Sequence, residues 1–237
     1  SYCLGKLLED TGQKIIRVAG SHGKSTTTAM LGLIFQKAGL DPTIIVGAYV
    51  PSFSSHAVIG KGSYAIVETC EFDRSFLDIP GFASIITSIE PDHLDYYRGG
   101  LQEIVKTFIQ FANQNDKDGI VITCVDNKNI NNLFLPNYVG SIKTYGLISG
   151  DWRVKIMDKM PFINWNHFTA IKNNMIFGDF KLPFAGMHYV QNALGAIAVA
   201  DFFKINPQII VDGLLTFKGV SRRYEKVIDY ENFKIID

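Results

Sequence analysis

Ile15-Ile-Arg-Val-Ala19 runs into Gly20-Ser-His-Gly23-Lys24-Ser25, and that into Thr26-Thr-Thr-Ala-Met30-Leu-Gly-Leu-Ile34-Phe-Gln-Lys-Ala38. The first run is short and apolar, and the second is a glycine-bearing turn. The third carries Met30, Leu31, Ile34 and Ala38 on one helical face and stops at Gly39. Strand, turn and helix in that order are the setting that gives a Gly-Lys-Ser motif meaning. Two glycines let backbone amides curl around phosphate oxygens, and the helix start adds a positive dipole end. Lys24 can reach the β- and γ-phosphates, and the Ser25 hydroxyl is placed to ligate Mg²⁺. Gly20, Ser21, His22, Gly23, Lys24, Ser25 and Thr26 are therefore the expected mononucleotide-binding set. The full spacing of such a loop wants a glycine at position 18, where this chain has Val18, so the loop is a shortened variant.

Outward from this unit the alternation continues. Apolar runs at 43–46, 64–67, 84–89 and 120–124 are nearly continuous, as in parallel strands buried on both faces. Residues 101–113 place Leu101, Ile104, Val105, Phe108 and Phe111 at helical spacing. The expected fold is α/β, a P-loop-type, mostly parallel sheet flanked by helices, with ligands beyond the carboxyl ends of its strands. Near Ser149 the character changes. Residues 151–157 and 168–183 read as strands and hairpins with Asn173-Asn174 as a tight turn, giving a small antiparallel β portion in the second half. Helices are expected over 188–203 and 207–215, with Asn206 capping Pro207. The tail, 224–229 and 233–236, reads as a last hairpin.

Composition narrows the function classes. The 237 residues are 47% apolar and 19% charged, which excludes a disordered chain, and the absence of any repeat or flexible linker points to a single domain over 1–237. Lys+Arg and Asp+Glu number 23 each, so no global charge draws nucleic acid or anionic lipid. No apolar run reaches about 18 residues, so membrane insertion is not expected. Lys6, Glu9 and Asp10 interrupt the only signal-like stretch, and Cys3, Cys70 and Cys124 form neither a metal pair nor a disulfide framework. A cytoplasmic protein is the expectation.

A phosphate loop needs a metal-binding carboxylate at the end of a neighbouring buried strand. Tyr64-Ala-Ile-Val-Glu68 has that form, against the alternative of a solvated strand end. Glu71 and Asp73 follow and favour a cation nearby, while their charge disfavours a thiolate at Cys70. The next acidic turn is Ile89-Glu-Pro-Asp-His93-Leu-Asp95. His93 either ligates a second metal or meets a phosphorylated substrate. Asp92 competes with it for that role, and spacing does not choose between them.

Residues 20–30 resemble the phosphate loop of the Mur ligases, the ADP-forming amide ligases of peptidoglycan precursor synthesis. Within that family they are most similar to the branch that joins L-alanine to UDP-N-acetylmuramate. Four more segments agree in order: Glu68-Thr-Cys-Glu-Phe-Asp-Arg-Ser-Phe76, Ile89-Glu-Pro-Asp-His-Leu-Asp-Tyr96, Gly186-Met-His-Tyr-Val-Gln-Asn-Ala193 and Phe217-Lys-Gly-Val-Ser-Arg-Arg-Tyr224. The resemblance spans about residues 14–237 and implies ATP and Mg²⁺ as ligands. It implies catalytic roles for Lys24 and His93, with Ser25, Glu68 and His93 as metal contacts. His188 and Asn192 would lie on the adenine side, Arg222 or Arg223 near the phosphates, and Asp237 near the ribose. Tyr189 stands where the family has an asparagine, which puts one adenine hydrogen bond in question. Only the family's central ATP-binding domain is matched, so the N-terminal UDP-binding and C-terminal amino-acid-binding domains are expected to be absent from this stretch. UDP-N-acetylmuramate and L-alanine are the substrates implied for the full-length enzyme. A ligase that recycles murein peptide, or one of folylpolyglutamate or cyanophycin type, is a related alternative. A P-loop ATPase or a nucleotide-binding module without ligase activity is a more distant one. The Ser75-Phe76 and Asp92-His-Leu-Asp95 segments favour the alanine branch.

Overall fold

The computed structural model of the chain describes residues 1–155, 166–184, 186–221, 226–230 and 233–236. In chain order the elements are α1 (Tyr2–Asp10), β1 (Lys14–Ala19), α2 (Lys24–Lys37), β2 (Thr43–Val50), β3 (Ser55–Val58), β4 (Tyr64–Glu68), β5 (Gly81–Ile86), α3 (Gly100–Asn113), β6 (Asn115–Cys124), β7 (Ile142–Gly146), β8 (Trp152–Lys155), β9 (Asn166–Lys172), β10 (Met175–Leu182), α4 (Met187–Phe202), α5 (Pro207–Leu215), β11 (Lys226–Tyr230) and β12 (Phe233–Ile236). Ten strands form one sheet in the order β10-β9-β8-β7-β6-β5-β1-β4-β2-β3, and β11 pairs with β12 in a separate hairpin. From β2 to β8 neighbouring strands are parallel, whereas β3, β9 and β10 join antiparallel at the two edges.

The expected α/β architecture is present, and the antiparallel portion extends the same sheet. Three differences have local causes. β3 was not expected: it is a short edge strand with little burial, so it carries no hydrophobic alternation to read. β7 was missed as well, because Lys143 and Thr144 break its apolar run. The strand expected over 84–89 starts earlier, at Gly81, and stops at Ile86. Beyond that point Thr87 turns to donate its N–H to Ala19 at 3.0 Å.

β1 pairs in parallel with β4 on one side and β5 on the other, so both its faces are covered. Successive side chains alternate between faces. Ile16 and Val18 join the core under α2, α4 and α5, while Ile15 and Ala19 join those on the opposite face, where α1 and α3 lie. α2 is buried from Thr26 to Phe35, as befits a helix covered all round.

Arg17 points to the α3 face and is fully buried. Its guanidinium donates to Ile79 O at 2.8 Å, Phe111 O at 2.7 Å, Asn115 Oδ1 at 2.8 Å, and Ser84 Oγ and Gln114 Oε1 at 3.3 Å. It also lies 3.8 Å from the centre of the Phe111 ring. The Phe111 carbonyl belongs to the last turn of α3, the negative end of that helix. Burial draws the pKa of Arg17 down to about 9, still above neutrality, so the group remains a cation. Truncation would leave several buried acceptors without a donor. Arg17→Ala is therefore expected to cost roughly 3–5 kcal/mol, read as a lower urea midpoint with an unchanged slope. A loss below about 1 kcal/mol would show that the network contributes little.

Candidate functional site

The carboxyl ends of β1, β4, β5 and β6 surround a cavity of about 590 Å³ whose far wall is the start of α4. The phosphate loop forms its floor. Gly20 has φ 131° and Gly23 has φ 82°, backbone conformations that favour glycine. Space enforces the same choice. A Cβ on Gly20 would lie 2.3 Å from Thr87 Oγ1, and one on Gly23 would lie 2.4 Å from Asn192 Oδ1. The loop is fastened to the turn after β5. Ser21 N–H donates to Ser88 O at 3.0 Å, His22 N–H to Ser88 Oγ at 2.9 Å, and Glu90 N–H to Ser21 Oγ at 2.9 Å. The Thr87 hydroxyl donates to His22 O.

Two groups expected at the phosphates sit side by side. Ser25 Oγ donates to Glu68 Oε1 at 2.9 Å, and Glu68 Oε2 accepts from Gly47 N at 2.7 Å. A hydroxyl at the start of α2 and a carboxylate at the end of β4 are hard oxygen donors, and they fit Mg²⁺, which takes one or two protein ligands beside phosphates and water. Among the described residues no cluster of three His, Cys, Asp or Glu could hold a metal by itself. Lys24 Nζ folds back onto Gly20 O at 2.6 Å and pairs with Glu71 Oε2 at 3.1 Å.

On the far side His188, Tyr189, Gln191 and Asn192 line the cavity from α4. Asn192 is buried and faces Gly23. Tyr189 is also buried, its ring stacked on Phe184 at 5.1 Å between centroids, with His188 at 4.4 Å. Partial burial holds the His188 imidazole below its usual pKa and so favours its neutral form. His93 stands elsewhere. It is exposed with φ 55°, its ring packs edge-on to Phe72 at 5.0 Å, and it is not among the cavity's lining residues. Arg222, Arg223 and Asp237 lie outside the described residues.

Several lining residues escaped the sequence reading. Thr87 and Ser88 are expected strand residues that in fact serve the loop. Asp126 accepts from Leu147 N at 2.7 Å and Gln191 Nε2 at 2.8 Å, tying the end of β6 to α4. Asn127 donates to the Glu90 carboxylate at 2.7 Å, as does Asn129 from behind the lining at 3.4 Å. Their one legible signal was position, just past the carboxyl end of a buried strand.

The family described as the Mur ligase middle domain matches residues 18–200. A UDP-N-acetylmuramate–L-alanine ligase of Clostridium tetani is 39% identical over 225 residues, covering 94% of this chain and 48% of that protein. The chain thus spans about half the length of the curated relatives it matches. Among solved structures, the UDP-N-acetylmuramate–alanine ligase MurC of Thermotoga maritima superposes with a TM-score of 0.83 at 23% identity, over 99% of this chain and 52% of that one. The MurF ligase of Thermotoga maritima in complex with ADP gives 0.77 at 16% identity, over 99% and 56%.

Cys124 lines the cavity, but burial pushes its thiol up to about 12, whereas Cys3 and Cys70 are exposed. At about pH 8 iodoacetamide is expected to modify Cys3 and Cys70 and to spare Cys124 in the folded chain, as peptide mass spectrometry would read. Adduct on Cys124 at a rate matching Cys3 would contradict the burial.

Proposed function

The chain belongs to the Mur ligase family, and on that premise we propose that it forms the ATP-binding centre of an ADP-forming ligase joining L-alanine to the carboxylate of UDP-N-acetylmuramate. The observation that carries the proposal is the Ser25–Glu68 pair at 2.9 Å beside Lys24, on a loop that lines a cavity of about 590 Å³. The name of the Clostridium tetani relative supports the choice of substrates, and the ADP complex of the MurF ligase supports a nucleotide in this place.

In this reading the amides at the start of α2, from Gly23 to Thr26, and the Lys24 ammonium hold the phosphates. Ser25 and Glu68 would hold Mg²⁺, which supplies neutralising charge beside the transferring phosphoryl group. The muramoyl carboxylate attacks the γ-phosphorus and ADP departs, leaving an acyl phosphate. The alanine amine then attacks that carbonyl through a tetrahedral intermediate and expels phosphate. Little covalent work falls to the chain itself. Lys24 stabilises charge, and His188 and Asn192 orient the base. His93, on the turn beyond β5, is proposed to serve a second cation on the substrate side. Arg222 or Arg223 is proposed to approach the phosphates, and Asp237 the ribose. The chain corresponds to the central domain of the family, the UDP-sugar and amino-acid contacts belong to other parts of the full-length protein, and the site of action is the cytoplasm. No helix among the described residues is long and apolar enough to cross a membrane.

Two measurements test this. A non-hydrolysable ATP analogue is expected to bind this chain by calorimetry in Mg²⁺, with Lys24→Ala weakening it about a hundredfold. In the full-length protein, phosphate release from ATP is expected only when UDP-N-acetylmuramate and L-alanine are both present. Equal release without an acceptor would overturn the ligase in favour of a hydrolase.

A further inference from the structure

Lys24 is the one lysine or arginine lining the cavity among the described residues, and its charge is already spent on Glu71. The pair is largely withdrawn from water, with 16% of the Lys24 side chain and 4% of the Glu71 side chain exposed. The backbone of Glu71 is fixed too, since its carbonyl accepts from the Tyr97 hydroxyl and from Arg74 N at 3.1 Å. Glu71 itself lies behind the lining, and three other carboxylates line the cavity: Glu68, Glu90 and Asp126. Their hydrogen-bond donors are a serine, backbone amides, asparagines and a glutamine, all of them neutral. The described wall of the cavity is thus net negative.

We propose that Glu71 makes nucleotide binding depend on a divalent cation, by competing with phosphate for Lys24. This rests on the nucleotide reading above. A bare polyphosphate can engage Lys24 only by taking it from Glu71. That leaves a nearly buried carboxylate unpaired beside new negative charge, a costly arrangement. A nucleotide that arrives with its own cation brings compensating positive charge to Ser25 and Glu68, and the exchange at Lys24 becomes affordable. Glu71 is a specificity-determining residue in this account, selecting the metal complex of the nucleotide over the free anion.

Calorimetric titration of the chain with ADP, in excess Mg²⁺ and again in excess EDTA, tests the proposal with wild type, Glu71→Gln and Glu71→Asp. Wild type should bind in Mg²⁺ and far more weakly in EDTA. Glu71→Gln should tighten the EDTA titration about tenfold while shifting the Mg²⁺ titration less than about twofold, because only the bare anion meets the full competition. Glu71→Asp keeps the charge on a shorter arm and should shift the same ratio in the same direction by less. A purely structural role would weaken both titrations alike. Parallel shifts, or an unchanged ratio in both variants, overturn the proposal while leaving nucleotide binding intact. Should Glu71→Gln not fold, an unchanged ratio in Glu71→Asp is sufficient to overturn it. Absence of binding in every titration, Mg²⁺ included, removes the nucleotide reading itself and this inference with it.

Discussion

A guanidinium buried in the central strand sets the terms for the rest of the molecule. Arg17 cannot shed its charge at neutral pH, so its donors must be met inside the protein. They are met by the segment before β5, by β5 itself, by the last turn of α3 and by the start of β6. Those partners fix the level at which β5 and β6 run beside β1. Two residues beyond Ala19 the phosphate loop then finds Thr87 and Ser88 at hydrogen-bonding distance. Burial of one charge at the base of the sheet thereby contributes to the alignment of the loop at its top.

The site is held together by hydrogen bonds that leave its carboxylates charged. Glu68, Glu90 and Asp126 each receive neutral donors, and each joins two parts of the chain: β2 to α2 through Glu68, the turn after β5 to the loop after β6 through Glu90, and that loop to α4 through Asp126. Such acceptors add rigidity without cancelling negative charge. The cavity is consequently well formed in shape while its charge remains unbalanced.

The sequence made the central unit legible because three independent signals coincide there: an apolar run, glycines at a turn, and an apolar helical face that stops at Gly39. Ser25 and Glu68 were readable for the same reason, each lying where a strand or turn hands over to the site. Thr87, Ser88 and Asp126 were not, since a threonine at a strand end gives no local sign of whether it continues the strand or bonds a loop across the sheet. β3 and β7 were lost to the same locality, their pairing being decided by neighbours remote in sequence. The pairing of Lys24 with Glu71 was hidden too. Both residues drew notice, one as a phosphate contact and the other as part of an acidic stretch, but only the fold brings them within 3.1 Å.

The position of β1 has a consequence for the order in which the chain can assemble. β1 is made before both of its sheet partners, residues 64–68 and 83–86. Until both have been synthesised, the run 15–19 is an apolar strand with two unpaired edges, and no nearby segment can complete it. Parallel pairing of this kind must close long loops before any contact rewards them, which makes folding slow and the nascent chain prone to association. The arrangement that gives the phosphate loop its rigid support is therefore also the one that leaves the growing chain dependent on protection until about residue 86 has emerged.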